Sequence, residues 1–337
     1  MTSPSIASNR TSIRPYVAPS WLPGGHAQTI YPFVLPRPEI PVRRERIDTP
    51  DGDFWDVDWI DAPFARAGVP TLILFHGLEG SSGSHYARAL MAEVCAQGWR
   101  GVIPHFRGCG GEANLRPRAY HSGDHSEIGA MLEALKIRIA ALDASSPCHA
   151  VGVSLGGSAL LNWLGRAGDS ARSHLVAAAA VSAPIDLTQA GAAIDRGLNR
   201  IYARHFLQTL RPKGLSLAAR FPGILDADKV RRARSMYEFD DAVTAPLHGF
   251  DSASDYWHRA SAKPWLVKIV LPTLVLNARN DPFVPACSLP AAGEASIAVV
   301  LEQPATGGHV GFLSGPFPGN LRWLPRRLLQ FFRTQIR

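Results

Sequence analysis

The sequence predicts a parallel α/β sheet covered by helices on both faces and broken once by a helical insertion. Short, continuous apolar runs recur along the chain without polar alternation, the mark of strands buried on both faces. Amphipathic helical patterns lie between most of them, and strand, helix, strand repeated along one chain means parallel strands joined by crossover helices. The rhythm stops between about 185 and 265, where helical patterns follow one another with no strand between them.

The elements read as follows. Residues 1 to about 20, "MTSPSIASNRTSIRPYVAPS", are rich in Ser, Pro and Thr without periodicity and form a loose or draped start to an N-terminal arm reaching residue 40. "RRERIDTPDGDFWDVDWI" (43–60) alternates apolar and polar residues around the turn signal Asp51-Gly52 and reads as an antiparallel hairpin. The buried strands are expected at 71–76, 100–106, 148–154, 175–182, 272–278 and 296–302. Between two of them, Ile128, Met131, Leu132, Leu135, Ile139 and Leu142 fall on one face of a helix over 126–143. The domain reading is thus an arm (1–40), a core (41–184 and 266–337) and a helical cap (185–265). Tyr202, Phe206, Leu207, Phe221, Tyr237, Phe239 and Trp257 of the cap are candidates to line an apolar pocket, each weighed against ordinary packing of helices on the domain beneath.

Composition narrows the function class. With 337 residues, 46% of them hydrophobic, the chain can bury a large core. The 35 Lys and Arg against 28 Asp and Glu leave a charge of +7, scattered apart from "RRER" (43–46) and "RRAR" (231–234). These clusters read as solvated faces, so no nucleic-acid partner is expected and contact with an anionic membrane surface is a minor alternative. Cys95, Cys109, Cys148 and Cys287 form no C-x-x-C pair, which argues against a zinc site or disulfide framework and for reduced thiols. Neither a secretory signal nor an apolar run long enough to span a membrane is apparent, and the expectation is a cytoplasmic protein.

The chemistry concentrates in "AVGVSLGGSAL" (150–160). A dinucleotide fingerprint would need glycine where Ser154 stands, and a Walker A loop would need Gly-Lys-Ser/Thr, so phosphate cradling fails on spacing. Gly152-Val153-Ser154-Leu155-Gly156 instead matches G-x-S-x-G, a turn between strand and helix that exposes a nucleophilic serine. A serine hydroxyl needs a base, an orienting carboxylate and donors for the oxyanion. His309, in "TGGHVGF" after the last strand, is the candidate base, and Asp281, in "NARNDPFVP" after the preceding one, is the candidate acid. Asp186 and Asp255 are rival acids, each also readable as a helix cap or surface group. The backbone amides of Leu155 and of Leu78, in "HGLEGSSGSHY" (76–86), are the expected oxyanion donors, and His76 then has a structural role in that loop. His121 and His125 could share a helix face as metal ligands, but a loop and helix cap near Ser122 and Asp124 is the stronger reading, and neither metal nor cofactor is required.

With these pieces assembled, the chain resembles the α/β-hydrolase superfamily, and within it the YheT-like group. The closer match rests on "HGLEGSSGSHYARAL", "FRGCGGEANLRPRAYHSGDHSEI", "GVSLGG", "NARNDPFVP" and "GGHVGFL", and runs from about Trp21 to the C-terminal helix. "LPGGHAQTIYP" (22–32) is similar to the group's His-x-Gln-Thr entry segment, with two glycines before His26 where another lead-in is usual. The resemblance implies an α/β-hydrolase fold with a mostly parallel sheet and a helical cap, a Ser154, Asp281, His309 triad, and a serine esterase acting on short- to medium-chain acyl esters. Acyl transfer to an alcohol, lipase, phospholipase or thioesterase activity, and a non-catalytic binding module are the alternatives.

Overall fold

The computed structural model describes residues 15–62 and 66–336. The first part of the expected arm, 1–14, lies outside the described residues. From residue 15 the arm is draped over the core. The Tyr16 hydroxyl donates to the Leu313 carbonyl (2.8 Å), and its ring packs edge-on against Phe312 and Trp323. A short helix, α1 (Gly25–Ile30), follows.

Eight strands form one sheet in the order β1-β2-β4-β3-β5-β6-β7-β8: β1 Arg43–Asp48, β2 Phe54–Ile60, β3 Thr71–Phe75, β4 Arg100–Pro104, β5 Cys148–Val153, β6 Ala177–Val181, β7 Thr273–Leu276 and β8 Val299–Glu302. β1 and β2 form the expected hairpin, and β2 also runs antiparallel to β4. All other pairings are parallel, from Thr71↔Cys148 in β3 and β5 to Thr273↔Val299 in β7 and β8. β3 to β7 are apolar and buried on both faces because helices cover both sides: α2 (His85–Ala96) and α11 (Trp323–Arg333) on one, α3 (His125–Leu142) and α4 (Leu155–Ala167) on the other.

The hairpin departs from simple amphipathic alternation, for all seven residues of β2 are buried. Arg44 and Arg46 of β1 hydrogen-bond Asp58 and Asp56 through pairs of nitrogens, and Arg46 also reaches Glu112. The first basic cluster is therefore largely neutralised by the strand beside it, and no longer reads as a bare solvated face.

Between β6 and β7 the chain is helical: α5 (Leu187–Ile194), α6 (Arg200–Arg220), α7 (Ala227–Arg232), α8 (Met236–Phe239), α9 (Ala245–His248) and α10 (Ala253–Ala260), with a π-helical turn over Asp240–Thr244. α6 to α8 close their own apolar cluster around Leu207, Leu210, Val230 and Phe239. This insertion overhangs the carboxyl ends of the parallel strands, the edge where open α/β sheets bind ligands. Among the described residues no helix is long and apolar enough to cross a membrane.

Candidate active site

β5 ends at Val153 and α4 begins at Leu155, so Ser154 alone makes the reversal from strand to helix. Its backbone sits at φ 53°, ψ −122°, a conformation that a residue with a Cβ adopts only under constraint. The constraint comes from both sides: the Ser154 N–H donates to the Val181 carbonyl (2.8 Å), and the Ser154 carbonyl accepts from Gly157 and Ser158 (2.9 and 3.1 Å). The flanking glycines are a steric necessity. A Cβ on residue 152 would lie 2.5 Å from the Gly156 carbonyl oxygen, and one on residue 156 would lie 2.5 Å from the carbonyl oxygens of both Phe75 and His76.

The loops after β7 and β8 bring Asp281 and His309 to this serine. The Asp281 carboxylate accepts amides of Phe283 and Val284 on Oδ1 (2.8 and 3.2 Å), which leaves Oδ2 for His309 Nδ1 at 2.8 Å. A carboxylate only accepts, so the imidazole proton is on Nδ1, and Nε2 takes the Ser154 Oγ–H at 3.0 Å. The rival acids are elsewhere: Asp186 caps α5 through the Gln189 amide, and Asp255 accepts from Asp251 N and pairs with Arg259.

Leu155 is the first residue of α4, where a helix leaves amides without an internal partner. Leu78, after β3, lies beside Leu155 and Ser154 in the wall of one cavity. The amides on either side of Leu78 are committed: Gly77 N–H to the Tyr86 hydroxyl (2.9 Å) and Glu79 N–H to the Tyr120 hydroxyl (2.7 Å). Glu79 itself, at φ 55°, pairs with Lys213 of α6 (2.7 Å). His76 is fully buried, with Nδ1 on the Gly77 carbonyl and Nε2 accepting the Phe106 amide, and burial pushes its pKa down to about 3. A neutral imidazole stapling two loops matches the structural role expected of it.

The cavity above Ser154 has a volume of about 460 Å³ and is walled by the insertion. Of the aromatic and aliphatic residues singled out in the sequence, Phe206, Phe239 and Trp257 line it, whereas Tyr202, Leu207, Phe221 and Tyr237 do not. Tyr202 instead stacks on His26 and packs edge-on against Phe283. Phe283, unforeseen, lies against His309 with ring centroids 4.3 Å apart and lines the cavity, and its place two residues after Asp281 was the available signal. Asp240, also in the wall, is raised to about 6 by burial and hydrogen-bonded by Thr244 and Trp257, and no motif marked it.

Asp124 caps α3, and His121 Nδ1 accepts the Gly123 amide, so this segment forms the loop and cap expected of it. Among the described residues no group of three or more His, Cys, Asp or Glu is arranged to hold a metal ion. Gln28 and Thr29 of α1 also join the site, as buried partners of the His309 loop.

Residues 70–316 match the family model described as alpha/beta hydrolase fold. The chain is 35% identical over 314 residues to YheT, a candidate esterase of Escherichia coli (strain K12), across 92% of this chain and 91% of that protein. It is 32% identical over 331 residues to the mouse (Mus musculus) phospholipase ABHD3, across 95% of this chain and 79% of the relative. The fold is shared with the Pyrococcus furiosus esterase Pf2001 at 16% identity and a TM-score of 0.53, covering 88% of this chain and 91% of that one.

Proposed function

This chain belongs to the α/β-hydrolase family, in its YheT-like branch, and on that premise we propose that it is a serine hydrolase cleaving carboxylic esters through an acyl-enzyme on Ser154. The observation that carries the reading is the continuous relay from Asp281 Oδ2 through His309 to Ser154 Oγ, with links of 2.8 and 3.0 Å, on the floor of a largely apolar cavity.

Ser154 Oγ attacks the ester carbonyl while His309 Nε2 takes its proton. The tetrahedral oxyanion accepts hydrogen bonds from the amides of Leu155 and Leu78. Collapse expels the alcohol, which receives the proton from His309. Water then attacks the acyl-enzyme, gives a proton to His309, and frees the acid and Ser154. Throughout, Asp281 keeps Nδ1 protonated and offsets the charge of the imidazolium. Residues 185–265 act as the cap, and Phe206, Leu210, Phe239 and Trp257 form an apolar wall suited to an acyl chain of short to medium length. A phosphorylated alcohol as leaving group is the second reading, favoured by Arg116, Arg118 and Arg220 in the same cavity wall and by the phospholipase name of the mammalian relative.

The test treats wild type and Ser154→Ala with a fluorophosphonate probe, p-nitrophenyl esters of increasing chain length and a phosphatidylcholine. Labelling and turnover by wild type only are expected, with a maximum at short to medium chains. Retention of full activity by Ser154→Ala would refute the acyl-enzyme. Phosphatidylcholine turnover above that of every simple ester would favour the second reading, and product analysis with added alcohol separates hydrolysis from acyl transfer.

A further inference from the structure

We propose that Thr29, Gln28 and Asn280 are positioning residues that impose the catalytic conformation on His309, so that a segment preceding the sheet in sequence completes the site. The inference rests on the triad reading above.

Four consecutive amides in the His309 loop are held by side chains from outside it. Gly307 N–H donates to Gln28 Oε1 (2.9 Å), Gly308 N–H to Asn280 Oδ1 (3.0 Å), His309 N–H to Thr29 Oγ1 (2.9 Å) and Val310 N–H to Ser182 Oγ (3.0 Å). The acceptors are themselves oriented. Thr29 donates its hydroxyl proton to the Gly25 carbonyl (2.7 Å), which turns its lone pairs to His309. Gln28 Nε2 donates to the Leu22 carbonyl (2.9 Å), which turns Oε1 inward, where it also accepts Asn280 Nδ2 (3.0 Å). Gln28 and Thr29 are 1% and 3% exposed, so water does not substitute for them.

The loop needs this support because its backbone is unfavourable by itself. Val310 and Phe312 have φ of 59° and 41°, a region that side chains with a Cβ, and β-branched ones above all, avoid. Contact with α1 is also too close for side chains: a Cβ on residue 311 would lie 2.1 Å from the Gln28 carbonyl oxygen, and one on residue 25 would lie 1.9 Å from that of Asn280. The short helix and the two loops thus form one rigid block. Asn280 precedes Asp281, so the same block also sets the distance between the acid and the imidazole.

Thr29→Val keeps the shape and removes the acceptor of the His309 amide. A misplacement of the base on the order of 1 Å lowers turnover by up to about 10²-fold. We expect kcat on a p-nitrophenyl ester, and the rate of fluorophosphonate labelling, to fall about 10- to 100-fold with KM changed less than about threefold. Thr29→Ser, which restores the oxygen, returns both rates to near wild type. A low-field proton resonance of His309 Nδ1–H is expected in wild type from its bond to Asp281, and it should shift or broaden in Thr29→Val. Should Thr29→Val not fold, Asn280→Ala, which cuts the ties to the Gly308 amide and to Gln28 but leaves Thr29 on the His309 amide, is read in the same way. If Ser154→Ala is inactive while folded Thr29→Val and Asn280→Ala keep kcat within twofold, or lose it only in proportion to lost folded protein, the positioning role is wrong and the triad stands. If Ser154→Ala is active, both fall.

Discussion

Asp281→Asn isolates the part of the relay that depends on charge and proton position. The asparagine is isosteric, and its oxygen can keep the amides of Phe283 and Val284, now on Asp281 Oδ1. The group that replaces Oδ2 is then an NH₂, facing His309 Nδ1 across 2.8 Å. Two donors cannot share that bond, so the imidazole proton moves to Nε2 and the ring can no longer take the proton of Ser154. A tautomer error of this kind lowers kcat by about 10⁴-fold, or about 5 kcal/mol of transition-state stabilisation. The fold should lose no more than about 1–3 kcal/mol, the range for one weakened buried hydrogen bond to a charged group. The control is Asp186→Asn. Asp186 caps α5 by accepting the Gln189 amide, and asparagine caps about as well, so its kcat should stay within twofold. The assay is p-nitrophenyl ester turnover at neutral pH, with circular dichroism to show that both variants are folded. A folded Asp281→Asn within tenfold of wild type, or an equal loss in Asp186→Asn, would refute the assignment of the acid.

Gly156→Ala brings a methyl group within 2.5 Å of the carbonyl oxygens of Phe75, the last residue of β3, and of His76 just after it, so the backbone of the elbow must shift. It should lower stability by about 1–3 kcal/mol and abolish fluorophosphonate labelling, seen as a drop of several degrees in Tm, and an unchanged Tm with full labelling would contradict the elbow geometry. The buried histidines make the fold acid-sensitive. Burial lowers His76 and His121 to about 3 and His149 to about 4, from an ordinary 6.5. Below pH 6.5 the unfolded chain therefore takes up protons that the folded chain refuses, and each group removes up to about 1.4 kcal/mol per pH unit until its folded pKa is reached; above 6.5 none contributes. Tm should fall more steeply from pH 6.5 to 5 than from 8 to 6.5. His149 is stacked between Trp99 and Phe332, and neither of its ring nitrogens has a hydrogen-bond partner among the described residues, so His149→Phe should flatten the acid limb. An identical slope in that variant counts against its share.

The strands and the motif residues were legible because their signals are local. The alanine-rich β6 and the largely aliphatic β7 announce burial on both faces, and G-x-S-x-G carries its own steric logic. Asp281 and His309 were legible for a related reason: in a parallel sheet the loop after each strand emerges at the same edge, so chain order after a strand translates into a place beside Ser154. The cavity lining was less legible. Tyr202 and Phe239 belong to the same insertion and look alike in composition, yet one faces His26 and Phe283 while the other faces the cavity.

The sequence by itself determined the fold class and singled out Ser154, His309 and Asp281 as candidates for nucleophile, base and acid, since each follows from the periodicity of a segment, the glycines beside one residue or its place after a strand. Only the tertiary structure decided that Asp56 and Asp58 are buried ion-pair partners, and that Gln28 and Thr29 hold the loop of a histidine some 280 positions away. Those facts depend on contacts between segments distant in the chain, whose energies come from geometry and the exclusion of water, and no local pattern of residues encodes them.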